Sequence, residues 1–268
     1  MIKDITLGQY FPGNSAIHRL DPRTKLLGMI AYIVIVFLVT KTPVFILPAL
    51  FAAICIYLAR VPFGYVIRSL KPIRFLLVFM FIVNLFMVRT GKTVIAFWII
   101  SITDEAIKQS VYITLRLVLL LVGKSLMTLT TTPIALTDGL ERLLMPLTKI
   151  HIPAHELAMM MTIALRFIPL LIDETEKIMN AQKARGAMLD NGKFMDRIKA
   201  LVPVLIPLFI SAFRRADELA MAMECRCYHG GEGRTKLSEL HYQKRDYLAY
   251  LSGAALLAVM IVLRQLGL

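Results

Sequence analysis

Two short arginine-centred segments have the residue types and spacing for a specific interaction. Ala184-Arg185-Gly186 and Cys225-Arg226-Cys227 each follow a run of small or flexible residues near the end of a predicted long helix. Small neighbours allow another protein to approach a helix closely, and a guanidinium can bind a carboxylate through two parallel hydrogen bonds. The pattern therefore predicts protein–protein contacts. An arginine that only solvates a helix end would have the same local sequence.

Metal-ligating residues occur at two places, and neither has the spacing of a known metal site. His151 and His155 are four residues apart, but Pro153 lies between them and no HExxH pattern is present. Cys225, Cys227 and His229 follow at two-residue intervals, and such positions point to different sides of a helix. The sequence contains no paired carboxylates, Ser-His pattern or phosphate-binding loop. We therefore predict no active site and no metal site.

The composition is that of a membrane protein. Hydrophobic residues make up 57% of the chain and charged residues 18%, with a mean hydropathy of +0.68, whereas soluble proteins average about 25% charged residues. Four uncharged runs are present: Leu26–Thr40, Thr42–Ala59, Phe75–Val88 and Tyr247–Leu263. Elements of soluble proteins keep one face polar. The sequence thus predicts an all-α, multi-spanning membrane protein and excludes a soluble globular enzyme.

Five membrane helices follow from these runs and their flanks. They are expected near residues 24–42, 43–60, 72–89, 106–130 and 245–264. Asp21-Pro22 and Thr132-Pro133 each combine a capping oxygen with a proline suited to the first turn, so both predict helix starts. The stretch Thr93–Thr103 is too short to span as a helix and is rich in β-branched residues. We expect an extended or interfacial segment there, on the outer side, with Trp98 at headgroup level.

The basic residues predict the orientation. The net charge is +13, and alternating connections carry 24 Lys and Arg residues against 5 in the others. Cytoplasmic loops are enriched in Lys and Arg, so this excess indicates membrane topology and not nucleic-acid binding. The N-terminus and the segment 131–245 are expected in the cytoplasm, and the C-terminus outside.

The long segment between the fourth and fifth spans predicts two long helices, near His155–Leu189 and Phe194–Tyr228. Each is apolar in its first half and charged in its second. The first halves should lie against or within the membrane bundle, and the second halves should extend into the cytoplasm. An alternative makes Leu157–Ile172 and Ala200–Phe213 additional spans, giving seven. The predicted organisation is a membrane bundle (1–130), coupling helices (131–244) and a C-terminal membrane helix (245–268).

Over nearly its whole length the sequence resembles the transmembrane scaffold, or T component, of energy-coupling factor (ECF) transporters, a type of ABC importer. The residues that carry the resemblance are Gly13-Asn14-Ser15, His18–Lys25, Arg116, Thr131-Thr132-Pro133, Leu165–Leu170 and the two arginine segments. The family has two Ala-Arg-Gly motifs on long coupling helices. The first is intact here. In the second, Cys225 replaces Ala and Cys227 replaces Gly, while Arg226 remains.

The resemblance implies a non-catalytic subunit of a bacterial cell-membrane importer for vitamins or other micronutrients. Two cytoplasmic ATPase subunits would each accept one coupling-helix end, at Ala184, Arg185 and Gly186 and at Cys225, Arg226 and Cys227. A membrane-embedded substrate-binding subunit (S component) would pack on the apolar parts, beside membrane lipid. ATP and Mg would be bound by the ATPase subunits, and no cofactor by this chain.

Two other functions deserve comparison. A stand-alone secondary carrier could line its pathway with Arg116, Lys124 and Asn84, but such carriers favour internal repeats, and none is visible. An intramembrane enzyme would need convergent polar groups at the ends of the spans, and the sequence shows none.

Overall fold

The computed structural model describes residues 10–88, 90, 92–97, 100–146, 153–187, 194–230 and 240–266. In this part of the chain, nearly all regular structure is helical. The helices are α1 (Pro22–Leu38), α2 (Ile46–Ala59), α3 (Phe63–Leu70), α4 (Arg74–Met87), α5 (Asp104–Thr130), α6 (Pro133–Leu144), α7 (Ala154–Ala184), α8 (Phe194–Glu224) and α9 (Lys244–Gln265). One antiparallel hairpin joins β1 (Thr93–Phe97) to β2 (Ile100–Thr103). The protein is an all-α integral membrane protein, as the composition predicts.

Both predicted helix starts are confirmed. The Asp21 carboxylate accepts the Arg23 N–H at 2.9 Å ahead of α1, and the Thr132 hydroxyl accepts the Ala135 N–H at 3.3 Å ahead of α6. In each case proline is the first helical residue, where its missing N–H costs nothing. These starts depend on local chemistry alone, which is why the sequence predicts them.

The third predicted span is longer than expected. It begins with α3, continues through a 3-10 turn at Lys71–Ile73 and ends with α4, so that the continuous helical segment is Phe63–Met87. Pro72 removes one backbone donor and tightens the helix locally without ending it. The basic residues Arg68, Lys71 and Arg74 interrupt the apolar pattern there, and the prediction therefore began too late.

The predicted extended segment at Thr93–Thr103 is confirmed as the β1–β2 hairpin, in which Thr93 pairs with Thr103 and Phe97 with Ile100. Trp98 lies outside the described residues. The side on which the hairpin lies stays a prediction.

The two long predicted helices are present, and each ends earlier than the sequence suggested. α7 ends at Ala184 rather than near Leu189, and α8 ends at Glu224 rather than near Tyr228. A residue with positive φ follows each end, Gly186 at +88° and Cys227 at +56°. Left-handed backbone stops an α-helix, so these two residues fix the ends.

The chain divides into two compact units. The helical bundle comprises Gly8–Arg142 and Glu239–Leu268, and the helix pair, α7 and α8, belongs to the segment Leu143–Ser238. In the bundle, α5 contacts α1, α2, α3 and α4, and α1 also packs along α9. The main core cluster consists of buried residues from α1, α2, α5, α9 and the α1–α2 connection: Tyr32, Ile35, Val36, Val39, Phe45, Ala52, Leu119 and Met260. α5 is therefore the central helix of the bundle.

Five helical segments of the described chain are long and apolar enough to cross a membrane: Thr42–Ala59, Phe63–Met87, Asp104–Thr130, His155–Ala184 and Lys244–Gln265. This set differs from the predicted five. α1 has 17 residues, below the roughly 20 that cross a bilayer core. α7 is long enough by length and composition, although we predicted it as a coupling helix.

Contacts within the bundle restrict the count of crossings. The Lys25 Nζ donates to the Thr130 carbonyl at 2.8 Å, so α1 starts at the face where α5 ends. The Asp21 N–H donates to the Asp246 carboxylate at 2.9 Å, so α9 starts at that same face. The chain between α5 and α9 therefore leaves and re-enters the bundle on one side. This stretch therefore crosses the membrane an even number of times. With α1 counted as a span, no crossing in the stretch gives five spans in total, and two crossings give seven.

The contact between the starts of α1 and α9 is a buried polar clasp. Asp246 is 1% exposed, and its two oxygens accept the Asp21 N–H at 2.9 Å and the Gln243 N–H at 2.8 Å. The Arg23 guanidinium donates to Asp21 at 3.1 Å and to the Leu240 carbonyl at 2.7 Å. It also lies 4.3 Å from the centre of the Tyr242 ring. The clasp thus satisfies backbone groups from segments more than 200 residues apart.

We predict that Asp246→Ala lowers the free energy of unfolding by about 3 kcal/mol, because two backbone N–H groups lose their acceptor and a buried donor without a partner costs about 1–3 kcal/mol. Thermal unfolding in detergent measures the effect. Asp104→Ala is the control, because the bond from Lys108 to the Asp104 carboxylate, 2.5 Å long, is exposed and exposed ion pairs contribute little to stability. Equal losses in the two variants would contradict the clasp.

Candidate functional site

The first arginine segment forms the C-terminal turn of α7. The Gly186 N–H donates to the Lys183 carbonyl at 3.0 Å, and the Ala187 N–H donates back to the Gln182 carbonyl at 3.0 Å. This pair of bonds, with a left-handed residue after the helix, is a Schellman motif. A Cβ at Gly186 would meet nothing within 4 Å. Glycine is therefore favoured there by its φ of +88° and not by lack of space.

The second segment forms the same turn at the end of α8. The Cys227 N–H donates to the Glu224 carbonyl at 2.8 Å, and the Tyr228 N–H donates to the Met223 carbonyl at 3.0 Å. Cys227 occupies the left-handed position, with φ +56°. The turn geometry is thus retained without glycine. A side chain in this conformation costs about 1–2 kcal/mol relative to ordinary backbone, so the turn forms in spite of the cysteine.

The six predicted site residues therefore form two equivalent turns, each with its arginine directly before the left-handed residue. All six are exposed. Within the residues that the structure describes, neither the Arg185 nor the Arg226 guanidinium makes a hydrogen bond or ion pair. A cation at a helix C-terminus is favoured by the helix dipole, which would account for a purely solvated arginine. The free guanidinium groups are also available to a carboxylate of another protein.

Polar contacts between α7 and α8 hold the helix pair together. An Arg215 nitrogen lies 3.3 Å from a Glu174 oxygen, and the two side chains are 33% and 25% exposed. The buried Arg215 Nε has no hydrogen-bond partner in the described chain. The ion pair is thus formed through one bond and not through the two-bond arrangement that arginine allows.

A second contact joins the last turn of α7 to the proline-containing part of α8, and sequence reasoning missed it. The Gln182 side-chain amide donates to the Pro203 carbonyl at 3.4 Å. In a regular helix this carbonyl would accept the N–H of residue 207, but Pro207 has none. A proline inside a helix is therefore the sequence signal for a carbonyl, four residues earlier, that needs another donor. Because the Gln182 backbone carbonyl also accepts the Ala187 N–H, one residue links the Arg185 turn to the α8 proline pair.

The residues suggested for a carrier pathway are not brought together. Arg116 donates to the Val39 carbonyl at 3.2 Å and to the Tyr112 hydroxyl, so it caps the end of α1. Asn84 donates to the Met80 carbonyl of its own helix at 2.8 Å. Lys124 is exposed and lies eight residues from Arg116, about 12 Å along the same helix. These contacts are structural and do not line a common path.

The metal candidates are described only in part. His151 lies outside the described residues. Among the residues that are described, no group of three or more His, Cys, Asp or Glu side chains is placed to hold a metal ion.

Comparison with known proteins agrees with the resemblance seen in the sequence. The cobalt transport protein family (CbiQ) matches residues 13–237. Proteins called energy-coupling factor transporter transmembrane protein EcfT are similar over almost the whole chain. The one from Clostridium kluyveri is 51% identical over 265 residues, covering 98% of both chains. The one from Bacillus subtilis is 45% identical over 264 residues, covering 98% of this chain and 100% of the relative. With this identity across its whole length, the chain belongs to the family of transmembrane components of energy-coupling factor transporters.

Proposed function

We propose that this chain couples ATP hydrolysis by two cytoplasmic ATPase subunits to movement of a membrane-embedded substrate-binding subunit. The observation that carries the proposal is the pair of equivalent, exposed arginine turns at the ends of α7 and α8. The ATPase subunits bind ATP and Mg, and the substrate-binding subunit takes up a vitamin or other micronutrient. This chain itself transmits movement and binds neither nucleotide nor substrate.

The helix pair has the dimensions and contacts of a lever. α7 and α8 have 31 residues each, which corresponds to roughly 46 Å per helix. The Glu174–Arg215 ion pair and the Gln182–Pro203 bond join the two helices at different heights. A displacement applied at one arginine turn is therefore passed to the neighbouring helix instead of being absorbed by independent bending.

Arg185 and Arg226 are the proposed coupling residues. Each guanidinium binds a carboxylate of one ATPase subunit through two hydrogen bonds, which a lysine cannot reproduce. Removing one member of a buried interfacial charge pair typically costs about 2–5 kcal/mol. We expect Arg185→Ala to weaken ATPase binding or to uncouple hydrolysis from uptake, the Arg185→Ala/Arg226→Ala double variant to abolish transport, and Arg→Lys variants to recover only part of it.

Uptake and ATP hydrolysis in proteoliposomes, with subunit assembly followed by co-purification, measure these effects. Arg264→Ala is the matched control, since Arg264 is also an exposed arginine in the last turn of a helix, α9. Wild-type assembly and transport by the double variant would mean that both arginines are ordinary solvated helix ends.

The link between the first turn and α8 has its own test. Gln182→Leu removes the donor to the Pro203 carbonyl and should lower stability by about 0.5–1.5 kcal/mol, with fewer substrate molecules transported per ATP hydrolysed. Adding Pro207→Ala to that variant supplies the missing helical N–H and should restore stability. Differential scanning fluorimetry and coupled uptake assays on the wild type, the two single variants and the double variant measure the interaction between Gln182 and the Pro203 carbonyl. If the two substitutions have additive effects, Gln182 does not act on the carbonyl released by Pro207.

The proposed orientation puts the face where α5 ends and α9 begins in the cytoplasm, in the bacterial cell membrane, with the C-terminus outside. It is supported by the Lys and Arg excess in alternating connections. Cys225 and Cys227 are exposed, so a membrane-impermeant maleimide should label them only after cells are permeabilised. A cysteine at Leu266, in a variant whose three native cysteines are replaced by serine, should react on intact cells. Labelling with the opposite sidedness would reverse the orientation.

A further inference from the structure

An apolar groove lies within the helical bundle, between α1, α2, α5 and α9. Its volume is about 750 Å³, it is open along one side, and its wall is almost entirely hydrocarbon. Gly28 of α1 and Gly253 of α9 form part of the wall, and a Cβ added at either would meet nothing within 4 Å. At Gly123, in contrast, a Cβ would lie 2.7 Å from the Tyr32 ring. Gly123 thus serves helix packing, while Gly28 and Gly253 leave space unfilled.

Two basic side chains lie at one end of the groove, beside the carboxylates of the clasp. Lys25 and Arg245 line it at the face where α1 and α9 begin. The Lys25 Nζ donates to the carbonyls of His18 and Thr130 at 3.0 and 2.8 Å, which orients the ammonium without neutralising it. Arg245 is exposed. Neither side chain forms an ion pair with an acidic side chain of the described residues.

Tyrosines surround this charged end. Tyr250 lines the groove, and its ring centre lies 6.3 Å from that of Tyr242, which is equally far from Tyr247. Tyrosine is enriched where membrane proteins meet the headgroup region, because its ring is apolar and its hydroxyl is polar. The groove therefore has the polarity profile of half a bilayer, with hydrocarbon along its length and positive charge at headgroup level.

The size of the groove suits a small molecule better than a whole helix. Ligand pockets of about 300–1,000 Å³ suit small molecules. A flexible acyl chain matches an almost wholly apolar volume of this kind.

We propose that the groove binds one membrane phospholipid with an anionic headgroup. One of its two acyl chains lies along Gly28 and Gly253, and its phosphate lies at Arg245 and Lys25. This site goes beyond the proposed coupling function, and its occupancy does not depend on the ATPase subunits. Because the lipid contacts four helices, it fills the bundle where the protein's own side chains leave space.

The test is native mass spectrometry of the purified full chain, equilibrated in detergent with equal amounts of palmitoyl-oleoyl phosphatidylglycerol and palmitoyl-oleoyl phosphatidylcholine. The wild type should retain one phosphatidylglycerol. Gly28→Leu and Gly253→Leu should lower that occupancy at least fivefold, because leucine occupies the space of the acyl chain. Arg245→Gln should still bind lipid but should lose about fivefold of its preference for phosphatidylglycerol, the change expected for one basic residue.

Gly64→Leu is the matched control, since Gly64 is also a helical glycine with nothing within 4 Å of an added Cβ and does not line the groove. It should bind lipid like the wild type. Equal lipid counts in the wild type and the groove variants would overturn the proposal, as would equal retention of the two headgroups. Loss of a co-purifying membrane subunit from the groove variants, with lipid unchanged, would identify a protein helix as the occupant instead.

A second measurement covers variants that fold poorly. A phosphatidylglycerol carrying a photoreactive diazirine on its acyl chain should label peptides of α1 and α9 in wild-type protein, and unlabelled phosphatidylglycerol should compete. Labelling confined to other helices would exclude the groove.

Discussion

Every backbone N–H and C=O group that membrane or protein hides from water has to find a partner within the chain. Several polar side chains in this bundle serve that requirement. Asp246 accepts N–H groups at the starts of α1 and α9. Lys25 donates to carbonyls at the end of α5 and in the segment before α1. Arg116 and Tyr112 donate to the Val39 carbonyl where α1 ends. At both ends of the bundle, side chains therefore form hydrogen bonds with backbone groups that the helices leave unpaired.

The same requirement separates structural charges from candidate functional ones. Arg23, Lys25 and Arg116 are committed to backbone carbonyls or to a capping carboxylate. Arg185 and Arg226 have no such partner among the described residues, and the Schellman bonds there pair carbonyls of the last helical turn with backbone N–H groups. An arginine whose helix end is satisfied by backbone alone is left with five unused donors. That freedom distinguishes the two turns from the other arginines, and it is consistent with binding to another protein.

Sequence predicts best where the chemistry is local. Asp21-Pro22 and Thr132-Pro133 mark helix starts because cap and helix are within three residues. The clasp was not predictable, since Asp246 meets Asp21 across 225 residues. The predicted end of α8 lies a few residues too far along the chain, because no propensity rule assigns left-handed backbone to Cys227. The lipid groove depends on how four helices pack, and none of its glycines differs from an ordinary helical glycine in sequence.

Cys227 also shows what the glycine of the family motif contributes. The second turn has the same two hydrogen bonds as the first, and its left-handed residue also has a positive φ, although this residue is cysteine and not glycine. The glycine therefore contributes backbone freedom rather than clearance, which agrees with the open space around Gly186. What the two turns have in common is only their backbone path and the arginine that it presents. If both turns bind the proposed ATPase subunits, the shared element available for recognition is the guanidinium, and not the glycine.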